Sequence, residues 1–178
     1  DAITAHLRAL HPESTLKIAD LARASVTPLD ETAVQARFLQ PDARTPTQTA
    51  RMAKDDAVVE QFLAADVIVL GVPMYNFNIP AQLQHWIDAI VRPGTTFRYT
   101  DKGPIGLTTG KTVYIGLTSG GFHRGTASDI PAGYLRYILG FIGISDVRLV
   151  YAEGMTRGVD AASKAFEAAA AEIIALVG

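Results

Sequence analysis

The segment with the most unusual composition covers residues 73–80, with the sequence PMYNFNIP. Two prolines stiffen a short loop that also carries two aromatic rings and two asparagines. A flat heteroaromatic ligand needs this combination, because apolar side chains cover its face while backbone amides bond its polar edge. The simpler interpretation is a strand-to-helix turn, in which Asn78 caps the next helix and the second proline occupies its first turn. That interpretation leaves Met74, Tyr75 and Phe77 unexplained, so we favour a ligand loop.

A second candidate loop covers residues 118–123, with the sequence TSGGFH. Its adjacent glycines permit positive φ angles and let backbone amides approach a ligand closely. Amides directed at the polar edge of a ligand would also stabilise negative charge that develops there. A glycine-rich turn after a strand is the common alternative. His123 is either an ordinary loop histidine or a contact to a substrate.

Other kinds of site find little support in the sequence. The chain has no cysteine, which removes disulfides, thiolate nucleophiles, iron–sulfur clusters and Cys-type zinc sites. The other histidines lack the spacing of metal ligands, so we expect no metal site. No G-x-G-x-x-G motif marks a dinucleotide-binding fold. A hydrolase built on Ser119, His123 and Asp129 is conceivable, but the surrounding sequence is not G-x-S-x-G.

The charge balance argues against polyanionic partners. Sixteen Lys and Arg residues against eighteen Asp and Glu residues give a net charge of −2. The chain therefore has no basic field to attract nucleic acid or an anionic membrane surface. Its most apolar stretch, residues 67–74, is far shorter than the ~20 residues that a membrane-spanning helix needs. We expect neither nucleic acid nor a membrane as a partner, and the lack of cysteine fits a cytoplasmic protein.

Hydrophobic periodicity divides the chain into alternating strands and helices. Short apolar runs predict strands at residues 15–19, 66–72, 111–118 and 147–152, and a β-hairpin formed by residues 95–100 and 105–108. The run at 66–72 is continuous and β-branched, which is typical of a strand buried on both faces. Periodic apolar positions predict helices at residues 2–10, 31–39, 80–91, 130–142 and 159–177, and one of about eighteen residues capped by Thr45.

The alternation predicts a single α/β domain over residues 1–178, with a doubly wound parallel sheet. A chain of 178 residues is long enough for one domain and too short for two comfortable ones. In such sheets, ligands bind beyond the carboxyl ends of the strands, where the strand order reverses. Both candidate loops begin at carboxyl ends of predicted strands, so their position agrees with their composition.

Five collinear segments give the chain a family resemblance. The run PMYNFN at residues 73–78 resembles the flavin-binding signature of bacterial FMN-dependent NADH-azoreductases. Further matches are TFRYT at 96–100 to the hairpin of that family, TSGG at 118–121 to its second flavin loop, LGFIG at 139–143 to the end of a main helix, and YAEG at 151–154 to the end of the last strand. This resemblance to the azoreductase and NAD(P)H quinone reductase family implies a flavodoxin-like fold with strand order 2-1-3-4-5 and a hairpin excursion.

The resemblance also implies roles for individual residues. FMN would be held by Met74, Tyr75, Asn76, Phe77, Ser119, Gly120 and Gly121. An apolar substrate pocket, shared across a homodimer interface, would be lined by Phe77, Tyr99 and Phe141. His123 is a further candidate for a contact to the substrate or the nicotinamide. The cofactor supplies the chemistry in such enzymes, so no catalytic side chain is implied.

Two features depart from the family pattern. The family often has an Arg between the Ser and the paired Gly of the second loop, and this chain has none. The family also begins with a strand and a Ser-rich loop that wraps the FMN phosphate at a helix N-terminus, whereas this sequence starts within that helix. The absent strand would be the central one, and its loss would leave buried backbone groups unpaired. We therefore expect the native protein to carry an additional N-terminal strand and loop, and residues 1–178 alone to bind FMN poorly.

The implied activity is that of a ping-pong oxidoreductase. NADH or NADPH would reduce the flavin by hydride transfer and leave, and an azo compound or a quinone would then be reduced by two electrons. The alternative is a non-enzymatic flavodoxin-like module, either an electron carrier or a flavin-free relative. A carrier has no need of a substrate pocket, so the aromatic residues Phe77, Tyr99 and Phe141 favour the enzyme.

Overall fold

A parallel β-sheet with helices on both faces organises the chain, and the computed structural model describes residues 2–177. The strands are β1 (Val67–Pro73), β2 (Phe97–Thr100), β3 (Gly103–Gly106), β4 (Thr112–Thr118) and β5 (Asp146–Ala152). The helices are α1 (Ala2–Leu10), α2 (Glu31–Arg37), α3 (Pro46–Ala64), α4 (Ala81–Ile90), α5 (Ile130–Phe141) and α6 (Val159–Val177), with a 3₁₀ turn at Pro41–Ala43. None of these helices is long and apolar enough to cross a membrane.

The sheet consists of β1, β4 and β5, in the order β1-β4-β5, and all its pairs are parallel. Pro73 lies opposite Thr118, and Thr118 lies opposite Ala152, so the three strands end level with one another. The loops that leave these strands therefore start side by side at one edge of the sheet. The other two strands, β2 and β3, form a separate antiparallel hairpin.

Alternating side chains of the central strand β4 build a core on each face of the sheet, as the period of two requires. Val113, Ile115 and Leu117 pack into the larger core with residues of α3, α4 and α5. Tyr114 faces the opposite side and packs with α1 and α6, where Ile3 and Ile173 are buried. Helices on both faces confirm the predicted doubly wound α/β arrangement.

The six predicted helices form, with ends that shift by a few residues. The start of α3 shows why the sequence was informative. The Thr45 side chain accepts a hydrogen bond from the Gln48 amide (3.3 Å), and the Gln48 side chain accepts one from the Thr45 amide (2.9 Å). This reciprocal capping box satisfies two amides that a helix otherwise leaves free, with Pro46 in the first turn.

One predicted strand does not form, and the predicted burial of another is wrong. Residues 15–19 have no regular secondary structure, are exposed, and pair with no strand in the described part of the chain. Leu16 and Ile18 are 44% and 81% exposed, so this short apolar run buries no side chain against the sheet. The strand β1 forms but is not buried on both faces, because it is an edge strand of the sheet within residues 2–177, and Val67 is 45% exposed.

The predicted hairpin forms and packs against the end of α5. The amide and the hydroxyl of Thr108 both donate to the Ile142 carbonyl, at 2.9 and 2.6 Å. Gly106 lies against Gly143 so closely that a Cβ added at Gly106 would fall 2.1 Å from the Gly143 nitrogen. The hairpin is therefore held by backbone-to-backbone contact that leaves no room for a side chain.

We predict that Gly106→Ala will lower the free energy of unfolding by about 2 kcal/mol, because the added methyl forces two backbone segments apart. Urea denaturation followed by circular dichroism measures this change. The matched control is Gly133→Ala in α5, whose Cβ would enter open space and which should be neutral or stabilising by up to about 1 kcal/mol. Equal effects of the two substitutions would contradict this account of hairpin docking.

Candidate functional site

The two candidate loops lie side by side at the carboxyl edge of the sheet. The Met74 amide donates to the Thr118 carbonyl (2.8 Å), which extends the β1–β4 pairing by one step beyond the strand. The Ser119 amide donates to the Ala152 carbonyl (3.2 Å) in the same manner. The first loop is therefore fixed to the end of β4, and the second loop to the end of β5.

The first loop is a tight turn closed by Tyr75 and Asn78, whose amides each donate to the other's carbonyl at 2.9 Å. The two residues between them, Asn76 and Phe77, have φ angles of 49° and 64°. Positive φ at both central positions is the geometry of a type I′ turn, which asparagine tolerates well. Phenylalanine has no such tolerance, and the left-handed conformation costs roughly 1–2 kcal/mol for an ordinary residue. Strain of this kind at a non-glycine residue is typical of functional sites.

The predicted helix-capping role of Asn78 is wrong. Its side-chain oxygen accepts a hydrogen bond from the next amide, that of Ile79, at 2.8 Å. The N-cap of α4 is Pro80, which has no side-chain capping bond. Asn78 lies two residues too early to cap the helix, because its own amide and carbonyl are used to close the turn.

The second loop is held mainly through its carbonyl groups. The carbonyls of Ser119 and Gly121 accept from the amides of Met155 (3.0 Å) and Gly154 (2.9 Å). The Gly120 carbonyl accepts from the Thr156 hydroxyl (3.0 Å), and the buried Ser119 hydroxyl donates to the Gly121 carbonyl (3.0 Å). The segment that follows β5 therefore supports the loop from behind.

Five loop amides have no acceptor within residues 2–177, namely those of Asn76, Phe77, Gly120, Gly121 and Phe122. Backbone amides are strong donors that a folded chain normally satisfies. Both loops therefore offer donors of the kind that a heteroaromatic ring with carbonyl and ring-nitrogen acceptors requires. A flavin meets this description.

The paired glycines are required by packing. A Cβ at Gly120 would lie 3.0 Å from the Thr156 side chain, and a Cβ at Gly121 would lie 2.8 Å from the Nε2 atom of His123. Neither glycine has a positive φ angle. The argument from positive φ angles is therefore wrong for these two glycines, and the close approach of their amides to a ligand stays a prediction.

Phe77 and His123 bring the two loops into contact. Their rings meet edge to face, with centroids 5.6 Å apart and an angle of 89° between the planes. Phe77 is 54% exposed and Tyr75 is 61% exposed, while Met74 is half-buried. An apolar, partly exposed surface therefore adjoins the free amides at the edge of the sheet.

Glu153 is a site residue whose role the sequence reasoning missed. One of its carboxylate oxygens accepts from the amides of His123 (2.5 Å) and Arg124 (2.9 Å), which fixes the backbone at the end of the second loop. The YAEG segment placed Glu153 at the end of the last strand, but only the parallel pairing of β4 with β5 brings it beside His123.

A half-buried tyrosine secures the chain between the second loop and α5. The Tyr151 hydroxyl donates to Asp129 (2.9 Å), and the same carboxylate oxygen accepts from the Gly125 amide (3.2 Å). Burial raises the pKa of Tyr151 well above its usual value, and the neighbouring Asp129 carboxylate raises it further. Tyr151 therefore remains a neutral hydrogen-bond donor at physiological pH.

The remaining predicted substrate residues, Tyr99 and Phe141, lie elsewhere in the chain. Both contact Phe97, with ring centroids 5.4 and 4.6 Å from it. Because α5 runs back from the carboxyl edge, Phe141 at its end lies near the amino edge of the sheet. The two edges are separated by the length of a seven-residue strand, about 20 Å. One chain therefore does not bring Tyr99 and Phe141 to Phe77 and His123.

The comparisons with known proteins agree with this geometry. The sequence profile of the family described as "Flavodoxin-like fold" matches residues 1–177. The chain belongs to this flavodoxin-like family. The expected fold class is thereby confirmed, although only the last three strands of the expected order are among those described.

Several relatives of this flavodoxin-like protein are named enzymes. An FMN-dependent NADH:quinone oxidoreductase of Dechloromonas aromatica is 50% identical over 177 residues, which is 99% of this chain and 89% of that one. A protein of the same name from Aromatoleum aromaticum is 47% identical and covers 97% of this chain and 87% of its own. Among solved structures, an azoreductase from Bacillus anthracis has a TM-score of 0.90 at 28% identity and covers 99% of this chain and 87% of its own. The resemblance on which the expectations rested is therefore confirmed.

At the left-handed turn we predict that glycine gives a more stable protein than alanine, which is the reverse of the usual order. Phe77→Gly should be more stable than Phe77→Ala by about 1 kcal/mol, since both lose the ring but only glycine relieves the strain at φ 64°. Urea denaturation of the two variants measures the difference. The control is position 133 within α5, where glycine is the native residue. There the Gly133→Ala variant should be the more stable of the two, which is the usual order in a helix. A more stable alanine variant at position 77 would show that the turn is not left-handed.

Proposed function

We propose that this protein is an FMN-dependent NAD(P)H oxidoreductase that reduces quinones or azo compounds by two-electron transfer. The observation that carries the proposal is the contact between the two loops at the carboxyl edge of the sheet, where free amides adjoin an apolar surface. The names of the relatives, FMN-dependent NADH:quinone oxidoreductase and azoreductase, indicate the same chemistry.

The residues of both loops fit an isoalloxazine ring. Amides of Asn76, Phe77, Gly120 and Gly121 would bond its polar edge, while Met74, Tyr75 and Phe77 would cover its apolar part. Ser119 is buried and holds the Gly121 carbonyl, so it acts by shaping the loop. FMN held by these residues would supply the hydride-transfer chemistry between NADH or NADPH and the acceptor.

The chain itself contributes position and electrostatics. Phe77 and His123 form the wall at which a nicotinamide or a flat acceptor would stack, since their rings are partly exposed beside the free amides. Donor amides directed at the ring would stabilise the negative charge that it gains on reduction. The Glu153 carboxylate keeps the second loop in place through two backbone amides.

The competing function is that of an electron carrier or a flavin-free module. Steady-state oxidation of NADH with a quinone, on protein supplemented with FMN, separates the two. We expect the parallel double-reciprocal lines of a ping-pong reaction. Gly121→Ala should lower the rate about tenfold or more, because its methyl displaces His123, whereas Gly133→Ala should not change it. FMN binding without any NADH oxidation would support the carrier and contradict the proposal.

We further infer that the active form is a homodimer with sites shared between subunits. Tyr99 is 72% exposed on a hairpin that projects from the core, and Phe97 links it to Phe141. Exposed aromatic groups of this kind are typical of interaction surfaces. A second copy could place Tyr99 and Phe141 over the Phe77 and His123 of its partner, which one chain alone does not do.

A complementation experiment tests the shared site. Phe77→Ala and Tyr99→Ala should each raise KM for a bulky quinone in the homodimer. A heterodimer of the two variants, isolated with two affinity tags, contains one site with both substitutions and one native site, so about half of the wild-type activity should return. No recovery in the heterodimer, or a fully active monomer in sedimentation, would contradict the shared site.

The remaining assignments follow from the proposed chemistry. Residues 1–178 act as a single flavodoxin-like domain, with helices packed on both faces of one sheet. A cytoplasmic location would give the enzyme its reduced pyridine nucleotide, and a chain without cysteine is suited to that compartment.

A further inference from the structure

His123 is held by a chain of hydroxyl groups that the proposed function does not explain. Its Nδ1 atom lies 2.8 Å from the Ser128 hydroxyl oxygen, which lies 2.8 Å from the Thr126 hydroxyl oxygen. The Thr126 hydroxyl in turn donates to the carbonyl of His123 itself, at 2.8 Å. The three side chains and the His123 carbonyl therefore form a closed loop of hydrogen bonds within six residues of sequence.

The direction of each bond follows from the number of protons available. A hydroxyl has a single proton to donate, and that of Thr126 is used on the carbonyl, so Thr126 can only accept from Ser128. The Ser128 proton is then used as well, so Ser128 can only accept from His123. The Nδ1 atom of His123 must carry a proton, whichever charge state the ring has.

The other nitrogen of the ring is available to a ligand. Nε2 has no hydrogen-bond partner within residues 2–177. It is not a fully buried atom, so solvent or a ligand can reach it. It lies against Gly121, whose amide is also free, and the edge-to-face contact with Phe77 places it between the two loops. Because Nδ1 keeps its proton, the ring gains and loses a proton at Nε2 alone.

The charged groups around the ring leave this arrangement intact. Glu153 is engaged with the amides of His123 and Arg124, and the Arg124 guanidinium makes two bonds to Glu172, at 2.7 and 3.1 Å. Asp129 accepts from Tyr151 and the Gly125 amide. The hydrogen-bond partner of the ring itself is therefore a neutral hydroxyl group, Ser128.

We propose that Thr126 and Ser128 are positioning residues that fix the tautomer of His123, and that protonated His123 donates its Nε2 proton to the acceptor during reduction. This proposal rests on the proposed function. A quinone becomes a hydroquinone by gaining two electrons as a hydride and one proton, and an azo group becomes a hydrazine by the same gain. The hydride comes from the reduced cofactor, the proton from Nε2, and the neutral imidazole then recovers a proton from solvent.

The tautomer can be measured without turnover. Nitrogen-15 spectra of the four histidines are recorded at the high-pH plateau, where the imidazole rings are neutral. The His123 signals are assigned by their loss in His123→Gln. We expect a pyrrole-like shift for Nδ1 and a pyridine-like shift for Nε2. Ser128→Ala should lose this preference and Ser128→Thr should retain it, while Ser163→Ala on the exposed surface of α6 should have no effect. A pyridine-like Nδ1 in the native protein would overturn the proposal.

Stopped-flow kinetics of the FMN-loaded protein test the proton transfer. His123→Gln should slow the reaction of the reduced enzyme with a quinone by roughly 10² or more, and by more than it slows reduction by NADH. Ser128→Ala should slow the same step by about fivefold, and Ser128→Thr should restore it. An unchanged acceptor step in His123→Gln would overturn the proton-donor role while leaving the oxidoreductase function standing. Absence of NADH-dependent quinone reduction in the native protein would contradict the proposed function itself, and the nitrogen shifts would still decide the tautomer.

Discussion

The site depends on the parallel pairing of β4 with both of its neighbours. Since Pro73, Thr118 and Ala152 share one level of the sheet, the chain must leave all three strands at the same edge. The pairing continues into the loops through the amides of Met74 and Ser119. A shift of register by one residue would turn every side chain of a strand to the other face and would separate the two loops. The central strand is buried on both faces, and this burial resists such a shift.

Different groups hold the two loops, and both arrangements leave amides unused. The first loop closes on itself through the bonds between Tyr75 and Asn78, which forces Phe77 into a strained conformation. The second loop is held from behind by the segment that follows β5, through its carbonyl groups. Donors that point away from the chain are available to a ligand without any rearrangement of the backbone, which is the preorganisation that electrostatic stabilisation requires.

The two ends of the sheet carry different aromatic surfaces. Phe77 and His123 meet at the carboxyl edge, whereas Tyr99, Phe97 and Phe141 cluster near the amino edge, where the hairpin packs on α5. Contact between the Gly106 and Gly143 backbones makes this hairpin a rigid platform. Of the three rings, only Tyr99 is largely exposed, while Phe97 is buried between it and Phe141.

The sequence by itself determined the order and type of the elements, because helix and strand periodicity, the capping box at Thr45 and the glycine pair are local signals. It also determined that residues 73–78 and 118–123 would lie at the same edge of the sheet, since both follow parallel strands. Tertiary structure alone decided that Asn78 closes a turn rather than capping α4, and that the paired glycines are needed for packing against Thr156 and His123. It also decided that Glu153 supports the second loop, and that residues 15–19 form no strand. Each of these outcomes depends on a side-chain contact, a pairing partner or a backbone angle, and none of these is encoded in the periodicity of a short segment.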